Sequence, residues 1–172
     1  MRVQVVYFMV AVLLGGCASV VPEAIRTPAP GNVQIAHVHD QPQLYRDATV
    51  RWGGKIVSAR NESDRTELEI VGRNLGSEGR PETDDISQGR FLVKVQGFLD
   101  PTIYKRDRLV TVRGRVEGVV DRSIGEYRYT YPVVVADTVH LWKTPPLPLT
   151  RYPYYYDPFY DPWRWPYYRP WP

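Results

Sequence analysis

Between Thr49 and Trp142 apolar residues recur with a period of two, and two of these runs carry glycine in their interiors, at Gly53-Gly54 and at Gly114. A period of two sends alternate side chains to opposite faces of a strand. Glycine inside such a run marks a bulge, a sharp bend or a close approach of another backbone, as barrel corners need. The runs are Thr49 to Ser58, Glu67 to Val71, Arg90 to Gln96, Arg108 to Glu117 and Tyr127 to Trp142. Val50, Trp52 and Ile56 face inward from the first, Leu68 and Ile70 from the second, and Phe91, Val93 and Val95 from the third. Val110, Val112, Gly114 and Val116 oppose Leu109, Thr111, Arg113 and Arg115 in the fourth. Turn clusters separate them at Asn61 to Asp64, Gly72 to Gln88 and Asp121 to Gly125. The expected fold is all-β: a small OB-like Greek-key barrel of about five or six strands, with a β-sandwich as the alternative. Asp100 to Tyr104 is expected to form a single helical turn between strands.

The chain ahead of this body has a different character. Met1-Arg2 is followed by a mostly apolar run from Val3 to Leu14, too short to span a bilayer, and then by Gly15, Gly16 and Cys17. This is the layout of a secretory signal. Cys17 is the only cysteine, so no internal disulfide is available. Leu14-Gly15-Gly16-Cys17 resembles the lipobox of bacterial lipoproteins. That resemblance implies cleavage between Gly16 and Cys17, diacylglycerol on the Cys17 sulfur and a third acyl chain, palmitoyl, on its nitrogen. Two or more acyl chains hold a protein stably on a membrane. Ala18, where an Asp commonly retains lipoproteins in the inner membrane, points to the outer membrane.

Four regions follow: a signal peptide at 1–16, a lipidated N-terminus and linker at 17–35, the barrel at 36–144, and a tail at 145–172. The linker holds Pro22, Pro28, Pro30 and Gly31 without a sustained period, and reads as a spacer. In the tail, 11 of the 23 residues from Thr150 to Pro172 are aromatic and six are proline. Proline at this density excludes helix and central strand, leaving either a disordered tail or one folded back on its own barrel, or an extended segment that presents rings such as Tyr154, Trp163 and Trp165 to a sugar, a membrane interface or a protein groove.

Taken in order, His39-Asp40-Gln41-Pro42-Gln43-Leu44-Tyr45, Trp52-Gly53-Gly54-Lys55-Ile56, Gly97-Phe98-Leu99-Asp100-Pro101 with Tyr104, Val110 to Val116, and Tyr131-Pro132-Val133-Val134 leading to His140-Leu141-Trp142 resemble the Slp family. These are starvation-inducible outer-membrane lipoproteins of Gram-negative bacteria. The resemblance covers the lipobox and nearly all of residues 36–143. It implies outer-membrane attachment and a role in starvation or envelope stress; the body is expected to face the periplasm. It brings no catalytic residues.

The residues offer few candidates for chemistry. His37 and His39, followed by Asp40, form a metal-ligand pair if they share a strand face, and otherwise a surface pair. A metal-dependent hydrolase built on them is the lowest alternative. Asp84-Asp85 with Glu78 and Glu82 sit in a polar, Gly- and Pro-bearing segment that reads as a solvated loop. No nucleotide or dinucleotide fingerprint occurs, and no cofactor is expected. Arg113 and Arg115 point the same way along one strand and form a candidate surface for lipopolysaccharide or another envelope glycan. The formal charge of +3 falls to +2 once Arg2 leaves with the signal. Balance of this kind, with the compartment, disfavours nucleic acid. The expected partners are outer-membrane lipid through the anchor, and an envelope glycan or another envelope protein. The expected activity is structural or binding, not enzymatic.

Overall fold

The computed structural model describes residues 21–144. Cys17, Gly16, Tyr154, Trp163 and Trp165 lie outside the described residues. Five strands, β1 (Thr49–Asn61), β2 (Arg65–Arg73), β3 (Arg90–Gln96), β4 (Leu109–Ile124) and β5 (Tyr127–Leu141), close into a barrel in the order β1-β2-β3-β5-β4. Every neighbouring pair is antiparallel except β3 and β5, which run parallel from Leu92/Val133 to Lys94/Val135. This is the expected OB-like, all-β Greek-key barrel, with five strands. Pro132 lies just ahead of the parallel pairing, where its missing N–H deprives β3 of nothing.

The alternation builds the core directly. Val50, Trp52, Ile56, Leu68, Ile70, Phe91, Val93, Val110, Val112, Val116 and Val134 are 0–6% exposed and form one cluster. Each such side chain contributes about 1.5–3 kcal/mol through burial. Trp52 and Phe91 meet edge to face at 5.3 Å.

The interior glycines answer to two different needs. At Gly114 the register of β4 on β5 shifts, and a Cβ would lie 2.1 Å from the Val135 carbonyl oxygen. Gly54 carries no shift. It permits close contact, since its Cβ would lie 1.9 Å from the Val71 oxygen. The irregularity in β1 falls later, between Ile56 and Ser58.

Two parts of the chain depart from expectation. β4 continues to Ile124, so most of the expected turn at Asp121–Gly125 is strand and the reversal is confined to Gly125-Glu126. Long-range pairing explains this: Asp121 faces Thr130, whose Oγ1 donates to Asp121 Oδ1 at 2.7 Å, and Arg122 faces Tyr129. The lengthened hairpin covers the outer face of β3, where Leu92, Tyr131 and Val133 form a second small core with Val120, Ile124 and Tyr129.

The stretch read as a spacer is folded from Glu23 onward. Helix α1 (Glu23–Arg26), a 3-10 turn at Pro30–Asn32 and helix α2 (Ile35–Asp40) lie against the barrel. Ile25 is fully buried, and Ile35 and Val38 join the core. The boundary expected at residue 36 therefore falls within folded structure. Apolar residues here are single and irregularly spaced. They lack a sustained period because the helices are short: Ile25 is the one buried residue of α1, and Ile35 and Val38 are the one buried pair of α2. The Asp100–Tyr104 segment closes as one turn, with Tyr104 N–H donating to the Asp100 carbonyl at 2.9 Å and Thr102 N–H donating to Asp100 Oδ1 at 2.8 Å.

Candidate functional site

The most elaborated polar chemistry of the described residues lies where the N-terminal segment meets one end of the barrel. Arg51 of β1 donates through Nη1 to the carbonyls of Ile25 and Arg26, at 2.9 and 2.7 Å. Arg113, opposite it on β4, donates through Nη1 to the carbonyls of Ala24 and Thr27, at 3.3 and 3.4 Å. A short helix leaves its last carbonyls unpaired, and these guanidinium groups satisfy them. Arg51 is drawn below its ordinary pKa, first by burial and then by the charge of Arg113. Among the described residues neither arginine forms an ion pair with a carboxylate.

Further along, the Trp52 indole N–H donates to the Val33 carbonyl at 2.7 Å and ties down the strap between the 3-10 turn and α2. A buried relay completes the seat. Trp142 Nε1 donates to Thr111 Oγ1 at 2.9 Å, and Thr111 Oγ1 donates to the Gly79 carbonyl at 2.6 Å. Gly79 in turn abuts Ile25, whose carbonyl oxygen would lie 2.3 Å from a Cβ there. One buried hydroxyl thus joins β4, the β2–β3 loop, α1 and the point where the chain leaves the barrel. Arg80 covers the Trp142 ring at 5.4 Å.

Beside this seat is a cleft of about 340 Å³ between the strap and the barrel end, lined by Arg51, Arg73, Asn74, Glu82 and Gln88 with Asn32 and Gln34. Arg73 Nη1 donates to the carbonyls of Asp84 and, at 3.1 Å, Ile86, which fixes the far wall.

The expected arginine face is divided. Arg113 spends its hydrogen bonds on α1, while Arg115 is exposed beside Thr49. The two do not present one free surface, because carbonyls at the end of α1 capture the first. His37 and His39 lie on helix α2, not on a strand, so a spacing of two directs them apart. His37 Nδ1 accepts the Gln34 backbone N–H at 3.3 Å and its ring stacks on Tyr45, whereas His39 bonds Asp40 at 3.0 Å beside Tyr129. No group of three or more metal-capable side chains gathers among the described residues. Asp84, Asp85 and Glu82 lie in the β2–β3 loop.

A second charged group was not foreseen. Glu67 on β2, only 7% exposed, accepts from Arg122 at 2.6 and 2.8 Å and from Arg60 at 2.8 Å. Burial acts to raise this carboxyl, but the hydrogen bonds and charge of Arg122, then of Arg60, outweigh it and hold it below its ordinary value. Nearby, Glu69 accepts from Arg90 at 2.7 Å and from the Tyr131 hydroxyl at 2.9 Å. These bonds pin the hairpin over β2 and β3, the face on which OB barrels place oligonucleotides and oligosaccharides. The sequence signal was available: Glu67 and Glu69 alternate with Leu68 and Ile70, so both occupy the outer face.

Fold and seat define a small closed barrel carried on a docked N-terminal strap. The chain belongs to the outer membrane lipoprotein Slp family, whose family model matches residues 14–171. It is 38% identical over 165 residues to the lipoprotein YeaY of Escherichia coli K12, covering 91% of this chain and 81% of that protein. It is 33% identical over 163 residues to outer membrane protein Slp of the same organism, covering 91% and 86%. Among solved structures, a small single-stranded DNA-binding protein from Streptomyces coelicolor aligns with a TM-score of 0.35 at 16% identity, over 56% of this chain and 94% of that one. Schizosaccharomyces pombe Pot1pC bound to single-stranded DNA aligns with a TM-score of 0.33 at 8% identity, over 61% and 86%. The protein is therefore an outer-membrane lipoprotein of the Slp family.

Proposed function

We propose that lipid on Cys17 holds the barrel at the periplasmic face of the outer membrane, where it serves as a non-catalytic structural or binding module in starvation or envelope stress. The observation that carries this reading is the docking of Ile25. Eight residue steps separate Cys17 from a fully buried side chain. Even fully extended they reach roughly 28 Å. A module tethered so closely works at the membrane surface rather than across the periplasm. Arg51 and Arg113 act within this design as clamps that transmit the position of the anchor to the barrel.

Cys17→Ser is expected to leave the protein in the soluble fraction, and globomycin is expected to accumulate the unprocessed precursor. Outer-membrane fractionation measures both. A Cys17→Ser protein that still sediments with outer membrane overturns the anchor. Protease added to intact cells and to spheroplasts reports the side, with protection only in intact cells expected.

A further inference from the structure

We propose that the cleft under the strap binds an acidic sugar unit, a pyranose bearing hydroxyl groups and one carboxylate. The inference deepens the binding-module reading and rests on it for the class of ligand, since glycans are what an envelope module meets.

The wall chemistry carries it. Of the eight Asn and Gln side chains among the described residues, four line this one cleft: Asn32, Gln34, Asn74 and Gln88. A primary amide offers donor and acceptor at once, which matches a ring of hydroxyls better than any single charge does. The volume of about 340 Å³ suits one sugar ring, at the small end of the range for ligand sites, roughly 300–1,000 Å³. Val33, Trp52 and Leu75 also line the cleft, whose wall is mostly polar.

Charge sets the acidic preference. Two guanidinium groups, Arg51 and Arg73, border the cleft against one carboxylate, Glu82. Arg51 is held by carbonyls alone, and Arg73, whose Nη1 donates to the Asp84 and Ile86 carbonyls, has among the described residues one carboxylate neighbour, Asp84, at 3.8 Å. Their remaining N–H groups favour an anion over a neutral ligand.

The walls are also fixed before a ligand arrives. Gln34 Nε2 donates to the Asn32 carbonyl at 3.2 Å and to Asn32 Oδ1 at 3.0 Å, the Trp52–Val33 bond holds the strap, and the Glu82 N–H donates to the Asn74 carbonyl at 2.8 Å. Binding therefore orders little, which preserves affinity in a small site. The side-chain amides of Asn74 and Gln88 take no part in these bonds, so they test recognition without dismantling the seat.

Saturation-transfer difference NMR on the full chain in detergent micelles tests the proposal with three probes: N-acetylmuramic acid, N-acetylglucosamine and lactate. N-acetylmuramic acid is expected to bind, N-acetylglucosamine to bind about tenfold more weakly, and lactate to give no transfer; tenfold is the weight of one charge-assisted contact. Asn74→Asp with Gln88→Glu, which adds two negative charges at nearly constant shape, is expected to weaken N-acetylmuramic acid at least about tenfold. If that variant does not fold, Asn74→Ala with Gln88→Ala is expected to show the same direction of loss. No transfer to N-acetylmuramic acid from the native chain overturns the proposal. So does undiminished binding by a folded variant, or binding of lactate equal to that of the sugar acid. Fractionation of the same variants keeps the two readings apart: they are expected to remain in the outer membrane, and loss of sugar binding there leaves the anchor untouched.

Discussion

The Trp142 indole N–H donates to the Thr111 hydroxyl across a buried hydrogen bond of 2.9 Å, and the same hydroxyl donates its own O–H to the Gly79 carbonyl. The hydroxyl both accepts and donates at that point. Thr111→Val keeps the β-branched shape and removes both bonds, leaving a buried N–H and a buried carbonyl unpaired. Each such orphan costs about 1–3 kcal/mol. The expected loss is about 2–4 kcal/mol in urea unfolding, whereas Thr138→Val, on a half-exposed site of β5, is expected to change stability by less than about 0.5 kcal/mol.

Glu67 gives a pH signature. Its folded-state carboxyl lies below the unfolded value of about 4.5 because Arg122 and Arg60 outweigh the effect of burial. A depressed carboxyl contributes stability that is complete above the unfolded pKa and is lost as pH falls through the folded one. The gap in urea midpoint between native protein and Glu67→Gln is therefore expected to be full at pH 7 and to narrow below about pH 4.5. Arg122→Met is expected to cost about 1–2 kcal/mol at pH 7, and less in the Glu67→Gln background. A double-mutant cycle measures that coupling.

The barrel was legible because alternation and burial coincide. Period alone places Val50, Trp52, Ile56, Leu68, Ile70, Phe91 and Val93 inward, and all are buried, while Val95 is half-buried at the end of β3 and Leu92 and Thr111 are buried on the opposite face. The docked strap was not legible. Ile25 looks like an isolated apolar residue among prolines, and its burial depends on Gly79, Arg51 and Arg113, which come from three other parts of the chain. The surroundings of the arginine pair were hidden for the same reason: strand parity aligns Arg113 with Arg115, but only the fold reveals that the carbonyls of Ala24 and Thr27 lie over the first. His37 and His39 are exposed on α2, which is the surface-pair alternative; six residues of helix carry too little pattern to reveal the helix itself.

Tyr131 is expected to ionise late. Burial, then its hydrogen bond to Glu69, pushes its hydroxyl up to about 12, against an opposing effect of Arg90. A raised folded-state pKa contributes stability that is present below the unfolded value of about 10 and disappears as pH rises towards 12. Stability should therefore fall between about pH 10 and 12. Tyr131→Phe should flatten that fall while costing about 1 kcal/mol at pH 7 through the lost bond. Ultraviolet phenolate titration with chemical unfolding at each pH checks both.

Gly114 and Gly97 separate steric need from backbone need. At Gly114 a methyl group would meet the Val135 carbonyl oxygen at 2.1 Å and the Ala136 Cα at 2.8 Å, both backbone atoms of the paired strand. Relief requires β4 and β5 to part where the barrel already bends. At Gly97 nothing lies within 4 Å, and the difficulty is only a φ of +81°. Left-handed backbone costs a non-glycine residue about 1–2 kcal/mol, whereas overpacking against a fixed sheet adds roughly 1–3 kcal/mol or more. Gly114→Ala is accordingly expected to lower the thermal midpoint by more than Gly97→Ala does, and to yield little folded protein at 37 °C. Thermal denaturation followed by circular dichroism decides the order. Equal midpoints for the two variants would show that the β4–β5 contact yields at Gly114, so the closing strands of this barrel would not be held at their observed separation.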